Sequence, residues 1–232
     1  MLKFATKQTE KMNSTSVENF LKNIFTLKND EGEKASMTNL SMRLGISGPA
    51  ITDMAKKLSA KGLVNYEPYK ELELTPQGLN FAIKVIRRHR IWEMFLHQVL
   101  KMDLDEVHME ADMLEHQTSD RLLAKMDDYL GKPKFDPHGD PIPGTDGSIQ
   151  RHKNAIKMNE CEEGEQYKIV RLIYADEEVQ QMFKHYKVET GKSFKVVKMF
   201  ALDNSMEIEF DGRKVHLSPV LQKKIYCKYL DA

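Results

Sequence analysis

Apolar residues recur at helical spacing through the first part of the chain. Phe20, Leu21, Ile24 and Leu27 share one face of a helix expected over 17–27, since positions i, i+1, i+4 and i+7 lie together at 3.6 residues per turn. A short helix over 38–44 is stopped by Gly45. Ser47, an N-cap with Pro49 in the first turn, starts another that runs to about 61 and ends at Gly62. Residues 63–66 and 71–74 then alternate as a hairpin around Pro68, Tyr69 and Lys70, and Thr75-Pro76 opens a long helix reaching about 101.

The pattern breaks at 131–147, GKPKFDPHGDPIPGTDG, whose four prolines and four glycines sustain neither a helix nor a central strand. It reads as a linker or an ordered extended loop. Beyond it, 193–199, 206–210 and 213–217 alternate as short strands, the last two joined by the hairpin turn Asp211-Gly212. The expected class is α+β in three parts: a winged helix-turn-helix over 1–76, a helical part over 77–147 with the Pro/Gly-rich end, and a small β domain over 148–232.

Composition narrows the function. The 232 residues carry 35 Lys+Arg against 35 Asp+Glu, which excludes nucleic-acid binding by bulk charge but leaves local basic patches open. Residues 77–150 hold 13 acidic against 9 basic side chains, an acidic middle between two mildly basic ends. Cys161 and Cys227 are far apart and lack CxxC spacing, arguing against a disulfide framework or a thiolate zinc site. The polar N-terminus is unlike a signal peptide and no apolar run is long enough to span a membrane, so a cytoplasmic protein is expected.

In a helix-turn-helix the N-terminal residues of the second helix face base edges. Here these are Ser47, Pro49, Ala50 and Asp53. Lys56, Lys57 and, at the ribbon tip, Lys70 suit phosphates, which position the protein without specifying sequence. The alternative for these lysines is a solvated helix face.

The second concentration of chemistry is histidine with carboxylate. His89 and Glu93 are four apart on the long helix. In VHMEADMLEH, His108, Asp112, Glu115 and His116 fall at offsets zero, four, seven and eight, within an arc of roughly 100° if the segment is one α-helix. Imidazoles and oxygens converging from two helices, with no thiolate among them, suit Mn²⁺ or Fe²⁺ better than structural zinc. The alternative is a solvated charged face.

SGPAITDMAKKLSAKGLV, RRHRIWEMFL, VHMEADMLEH and DPHGDPIPG together resemble the diphtheria-toxin-repressor and manganese-transport-regulator family of metal-dependent transcriptional repressors, over about residues 14–147. The remainder resembles, less specifically, the SH3-like third domain of its longer members. The resemblance implies that 77–147 is a dimerisation and metal-binding domain. It also implies a homodimer that holds a palindromic double-stranded operator when metal-loaded. It assigns His89, Glu93 and His108 to one metal site, and Asp112, Glu115 and His116 to a second, faced by Asn19. The position of Asp112 is cysteine in iron-responsive members and glutamate in manganese-responsive ones; that of Asn19 is methionine or aspartate respectively. Both substitutions supply oxygen, which favours Mn²⁺, leaves Fe²⁺ open and makes Zn²⁺ or other divalent ions in vitro substitutes. Longer members add ligands from the third domain, for which Asp176, Glu177, Glu178 and Gln181 are the candidates here and Glu178 the one chosen.

The function expected is repression of metal-homeostasis genes in response to Mn²⁺ or Fe²⁺, without catalysis. Two rivals stand beside it: a metal-independent winged-helix regulator sensing another ligand, and a di-metal enzyme.

Overall fold

Helix α1 covers residues 15–25 and widens into a π-helical turn over Thr26–Glu31, closed by Gly32 at φ 70°. The wider turn buries Leu27 and Asp30 together, placing a carboxylate where an ordinary helix end would face water. The structure is a computed structural model that describes residues 15–174 and 177–230. Helix α2 (Met37–Leu44) starts at Ser36, whose Oγ accepts from Asn39 N, and stops at Gly45, φ 64°. Helix α3 (Gly48–Ala60) starts at Ser47 in the same way, accepting from Ala50 N. Strands β1 (Val64–Asn65) and β2 (Glu73–Leu74) pair antiparallel with Val64 opposite Leu74. The core beneath is Phe20, Leu21, Ile24, Leu40, Ile51 and Leu58, each burial worth about 1.5–3 kcal/mol.

Helix α4 (Pro76–Gln98) is capped by Thr75, whose Oγ1 accepts from Gly78 N, and ends earlier than its pattern suggests. Gly78 lies flat on the ribbon, where an added Cβ would be 1.9 Å from Leu63 O. The first half of α4 contributes Ala82 and Ile86 to the N-terminal core, and the second half contributes Ile91 and Met94 to another. One continuous helix therefore joins the DNA-binding unit to the segments that follow.

Helix α5 (Leu104–Leu114) packs along α4 and is shorter than expected: Glu115–Gln117 form a 3-10 turn, followed by α6 (Asp120–Tyr129). The expectation that His108, Asp112, Glu115 and His116 occupy one α-helical face is corrected here. Thr118 Oγ1 donates to Leu114 O, and Ser119 caps α6 through Leu122 N, so the chain turns before His116.

The Pro/Gly-rich segment is an ordered loop. Arg90 Nη1 donates to Pro141 O at 2.7 Å and Arg87 Nη1 to Pro143 O at 2.5 Å. Asp136 Oδ1 accepts from the backbone of both His138 and Asp140, at 2.9 Å each.

The C-terminal part is a six-stranded antiparallel sheet. In chain order its strands are β3 (Ile156–Lys157), β4 (Gln166–Leu172), β5 (Ser193–Met199), β6 (Met206–Phe210), β7 (Arg213–Leu217) and β8 (Ile225–Tyr229). Spatially they run β3-β8-β4-β5-β6-β7, and helices α7 (Glu177–Tyr186) and α8 (Pro219–Gln222) add Val179, Phe183 and Leu221 to the core of the sheet. Tyr167, Ile169, Phe183, Phe194, Val196 and Ile208 form its core, and both cysteines are buried free thiols. Among the described residues no helix is long and apolar enough to cross a membrane.

Candidate metal centre and nucleic-acid face

One carboxylate oxygen organises the centre. Glu93, 2% exposed on α4, directs Oε1 to His89 Nε2 at 3.0 Å, His108 Nδ1 at 3.1 Å and His138 Nδ1 at 3.7 Å. His89 and Glu93 meet because they lie one turn apart on α4, and His108 comes across from α5. The two imidazole nitrogens, His89 Nε2 and His108 Nδ1, are themselves 3.1 Å apart. Donors around an ion bound at about 2.0–2.2 Å have spacings of this order, so these residues fit a divalent cation.

The other nitrogen of His89 faces a second group. Nδ1 lies 2.7 Å from Glu115 Oε2 and 3.1 Å from Asp112 Oδ1. Among the described residues three sets thus hold their ligand atoms within 4.8 Å of one another: His89–Glu93–His108, His89–Asp112–Glu115 and Glu93–Asp136–His138. His89 belongs to two of them and Glu93 to two, which makes the clusters one connected centre. A cavity of about 770 Å³ opens onto it, bordered by α1, α2, α4, α5, the 131–147 loop and β4.

Electrostatics follow from burial against pairing. Burial disfavours the His89 imidazolium, yet Glu93 and the hydrogen bonds that its ring donates to Asp112 and Glu115 raise its pKa well above the ordinary value. Burial likewise penalises the Glu93 carboxylate, and His89, His108 and His138 overcome that penalty to hold it well below the usual range. Burial, then repulsion from Glu93 and Asp140, pushes Asp136 well up, while burial lowers His138. Lys22 and His89 thus offset the charge of Asp112 and Glu115.

His116 stands apart from Asp112. Its Nδ1 is 2.5 Å from Glu18 Oε2 on α1 and its Nε2 is 3.3 Å from Glu115 Oε1. The 3-10 turn accounts for this, carrying His116 toward α1. Asn19, half-buried, borders the cavity beside Lys22 and Asp112. Glu178, the expected ligand from the third domain, is exposed, because α7 turns Val179 and Phe183 inward, and Gln180 is the α7 residue bordering the cavity. Asp176 lies outside the described residues, and Gln181 donates to Glu177 at 3.2 Å.

Four residues of the centre escape a reading of the sequence alone. Asp136 and His138 sit in the loop, where D-x-H followed by G-D signals a turn held by an aspartate side chain. Glu18 and Lys22 are on α1. Lys22 Nζ lies 2.6 Å from Asp112 Oδ1 and 2.8 Å from Glu115 Oε1, with its side chain 13% exposed. Nothing in the sequence ties Lys22 to acids some 90 residues away.

Beyond the centre, Asp30 joins a buried charge network. Arg90 Nη2 donates to Asp30 Oδ2 at 2.8 Å, and Arg171 of β4 bridges Asp140 and the Asp30 backbone. The loop is also seated on β4: Leu172 N donates to His138 O at 2.9 Å, and Gly139, φ 88°, leaves no room for a Cβ, which would lie 2.0 Å from Val170 O.

In the N-terminal unit, the cap residue Ser47 and Pro49, Ala50, Asp53, Lys56 and Lys57 of α3 are exposed, as is Lys70 between β1 and β2. The Ser47 hydroxyl is engaged as the helix cap. Lys57 pairs with Asp53 at 2.7 Å and Lys70 with Glu67 at 2.6 Å, so two of the lysines are partly neutralised.

Residues 12–72 match the model of the iron-dependent repressor N-terminal DNA-binding domain, and 75–144 that of the iron-dependent repressor metal-binding and dimerisation domain. The chain is 34% identical over 129 residues to the diphtheria toxin repressor of Corynebacterium glutamicum, the match covering 56% of each chain. The match therefore spans little more than half of that relative. It is 36% identical over 119 residues to a helix-turn-helix transcriptional regulator of Methanocaldococcus jannaschii, covering 51% of this chain and 95% of that one. Among solved structures, a manganese-dependent transcriptional repressor in complex with manganese superposes with TM-score 0.83 at 32% identity, over 92% of this chain and all of that one.

Proposed function

This chain belongs to the iron-dependent repressor family, and from that premise we propose that it is a metal-dependent transcriptional repressor that binds operator DNA as a homodimer. The observation that carries the proposal is the connected centre on α4, α5 and the loop, linked to α1 of the DNA-binding unit by Glu18–His116 and Lys22–Asp112. His89, Glu93 and His108, with Asp136 and His138, would hold one divalent ion. Asp112, Glu115 and His116, with Asn19, would hold another. When bound, the ion supplies positive charge that binds together carboxylates otherwise neutralised by protons and by Lys22.

The residues then act as positioning devices. Helix α4 runs unbroken from the N-terminal core to His89 and Glu93, so a change in how α5 grips α1 alters the angle at which α3 is presented. Ser47, Pro49, Ala50 and Asp53 would face base edges, with Lys56, Lys57 and Lys70 toward phosphates. The dimer would form through the 75–144 region, where α5 leaves Met109 (65%) and Met113 (62%) exposed. The operator, read by two equivalent α3 helices, would be palindromic. We assign Mn²⁺ as the physiological ion, with Fe²⁺ next and Zn²⁺ as a substitute in vitro, because all proposed donors are oxygen or imidazole. Domain limits of 1–76, 77–147 and 148–232, the last SH3-like, complete the proposal.

Isothermal titration of the full chain with Mn²⁺, Fe²⁺ and Zn²⁺ separately, for wild type and Asp112→Ala, tests the metal assignment. Uptake of Mn²⁺ with loss of one binding event in Asp112→Ala supports it. Absence of divalent uptake by the wild type would refute it.

A further inference from the structure

We propose that Lys22 is a built-in cation of the Asp112–Glu115 site, so that metal loading there is an exchange of an ammonium for a divalent ion and Lys22 sets the concentration at which it occurs. This rests on the proposed metal-sensing role and deepens it.

The ammonium is placed where the acidic groups converge. Nζ takes Asp112 Oδ1 at 2.6 Å and Glu115 Oε1 at 2.8 Å, and that same Glu115 oxygen is 3.3 Å from His116 Nε2. Asp112, Glu115 and His116 are the side chains proposed for the second ion, and Asn19 lies three residues before Lys22 on α1. Glu115 is fully buried and the Lys22 side chain only 13% exposed, so this pair is shielded from water, and the ammonium shares the neutralisation of Glu115 with His89, whose Nδ1 is 2.7 Å from Oε2. A metal ion bonded to those oxygens at about 2.0–2.2 Å would stand within van der Waals distance of Nζ. Two cations that close repel strongly in a buried setting, so the ammonium must leave the oxygens when the ion arrives.

The exchange has a mechanical side. Lys22 belongs to α1, whose Phe20, Leu21 and Ile24 are locked into the N-terminal core. Its bond to Asp112 and Glu115 therefore ties the DNA-binding unit to α5 and the 3-10 turn after it. Releasing it unties that link at the moment the ion forms its own.

The experiment compares wild type, Lys22→Gln and Lys22→Arg by Mn²⁺ titration calorimetry and by thermal unfolding in excess EDTA. Lys22→Gln is expected to bind Mn²⁺ at the Asp112-dependent site about tenfold tighter or better and to unfold at lower temperature in EDTA. Lys22→Arg, which keeps the charge, is expected to show no gain in affinity. Equal or weaker Mn²⁺ binding by Lys22→Gln overturns the proposal. A second readout needs no variant: the Nζ resonance of ¹⁵N-labelled Lys22, protected in EDTA, is expected to lose its protection when diamagnetic Zn²⁺ is added. Persistence of that protection in the Zn²⁺-loaded protein also overturns the proposal. If neither wild type nor variant takes up metal, the sensing role itself fails. If both take it up equally, with loss in Asp112→Ala, only the role of Lys22 fails.

Discussion

Arg171 Nε, on the first long strand of the C-terminal sheet, lies 2.5 Å from Oδ1 of Asp140, two residues beyond the imidazole of His138. The same guanidinium donates to the Asp30 backbone at 2.8 Å, so it joins the β domain, the metal-side loop and the π-turn of α1. Its side chain is 11% exposed. Removing Arg171 leaves Asp140 with the more distant Arg90, at 3.9 Å, as its guanidinium partner. Arg171→Met is therefore expected to destabilise the chain by about 3 kcal/mol, read as a lowered midpoint in urea, and to weaken Mn²⁺ uptake because the His138 loop loosens. An unchanged midpoint would show that the network contributes nothing to stability.

Gly139 offers a test of the loop alone. Its φ of 88° and the 2.0 Å separation that an added Cβ would have from Val170 O both exclude a side chain. Gly139→Ala should cost about 1–3 kcal/mol in backbone strain alone and lift the loop from β4. Limited proteolysis between 144 and 155 should then accelerate, while the helical core around Phe20 and Leu40 keeps its protection in hydrogen exchange. Unaltered cleavage would contradict the docking described.

Asp53 and Lys57 form an exposed pair one helical turn apart on α3. Such pairs are worth about 0–1 kcal/mol, so Asp53→Asn is expected to leave the unfolding midpoint nearly unchanged. It should nevertheless release Lys57 toward phosphate and remove a repulsive charge. The expected result is tighter DNA binding, with the slope of log K against log salt steeper by roughly one counterion. A weaker complex would instead point to Asp53 as an acceptor from a base edge.

Much of the N-terminal half is legible in the sequence because its boundaries are written in side chains that act locally. Ser36 and Ser47 cap α2 and α3, and Gly45 and Gly62 end them, through bonds to residues three or four positions away. The rest depends on distant partners. The early end of α5 arises from Thr118 bonding back to Leu114, with no glycine or proline to announce it, and it separates His116 from Asp112. Strand β4 carries no clear signal because a register shift between Ile169 and Arg171 interrupts its alternation. Lys22 looks like any solvated lysine until α5 is packed beside it. His138 and Asp136 hide in a stretch whose prolines suggest a linker, although its backbone is held by Asp136 itself.

On the proposed reading, metal and DNA enhance each other's binding through this centre, so DNA affinity depends on the ion. A duplex selected from a random library on the full chain in Mn²⁺ would be titrated by fluorescence anisotropy in Mn²⁺, in excess EDTA, and with Asp112→Ala in Mn²⁺. Reciprocal coupling of the usual size predicts DNA affinity lower by about 5- to 150-fold in EDTA, with Asp112→Ala in Mn²⁺ resembling the chelated wild type. Equal affinity in Mn²⁺ and in EDTA would contradict the account.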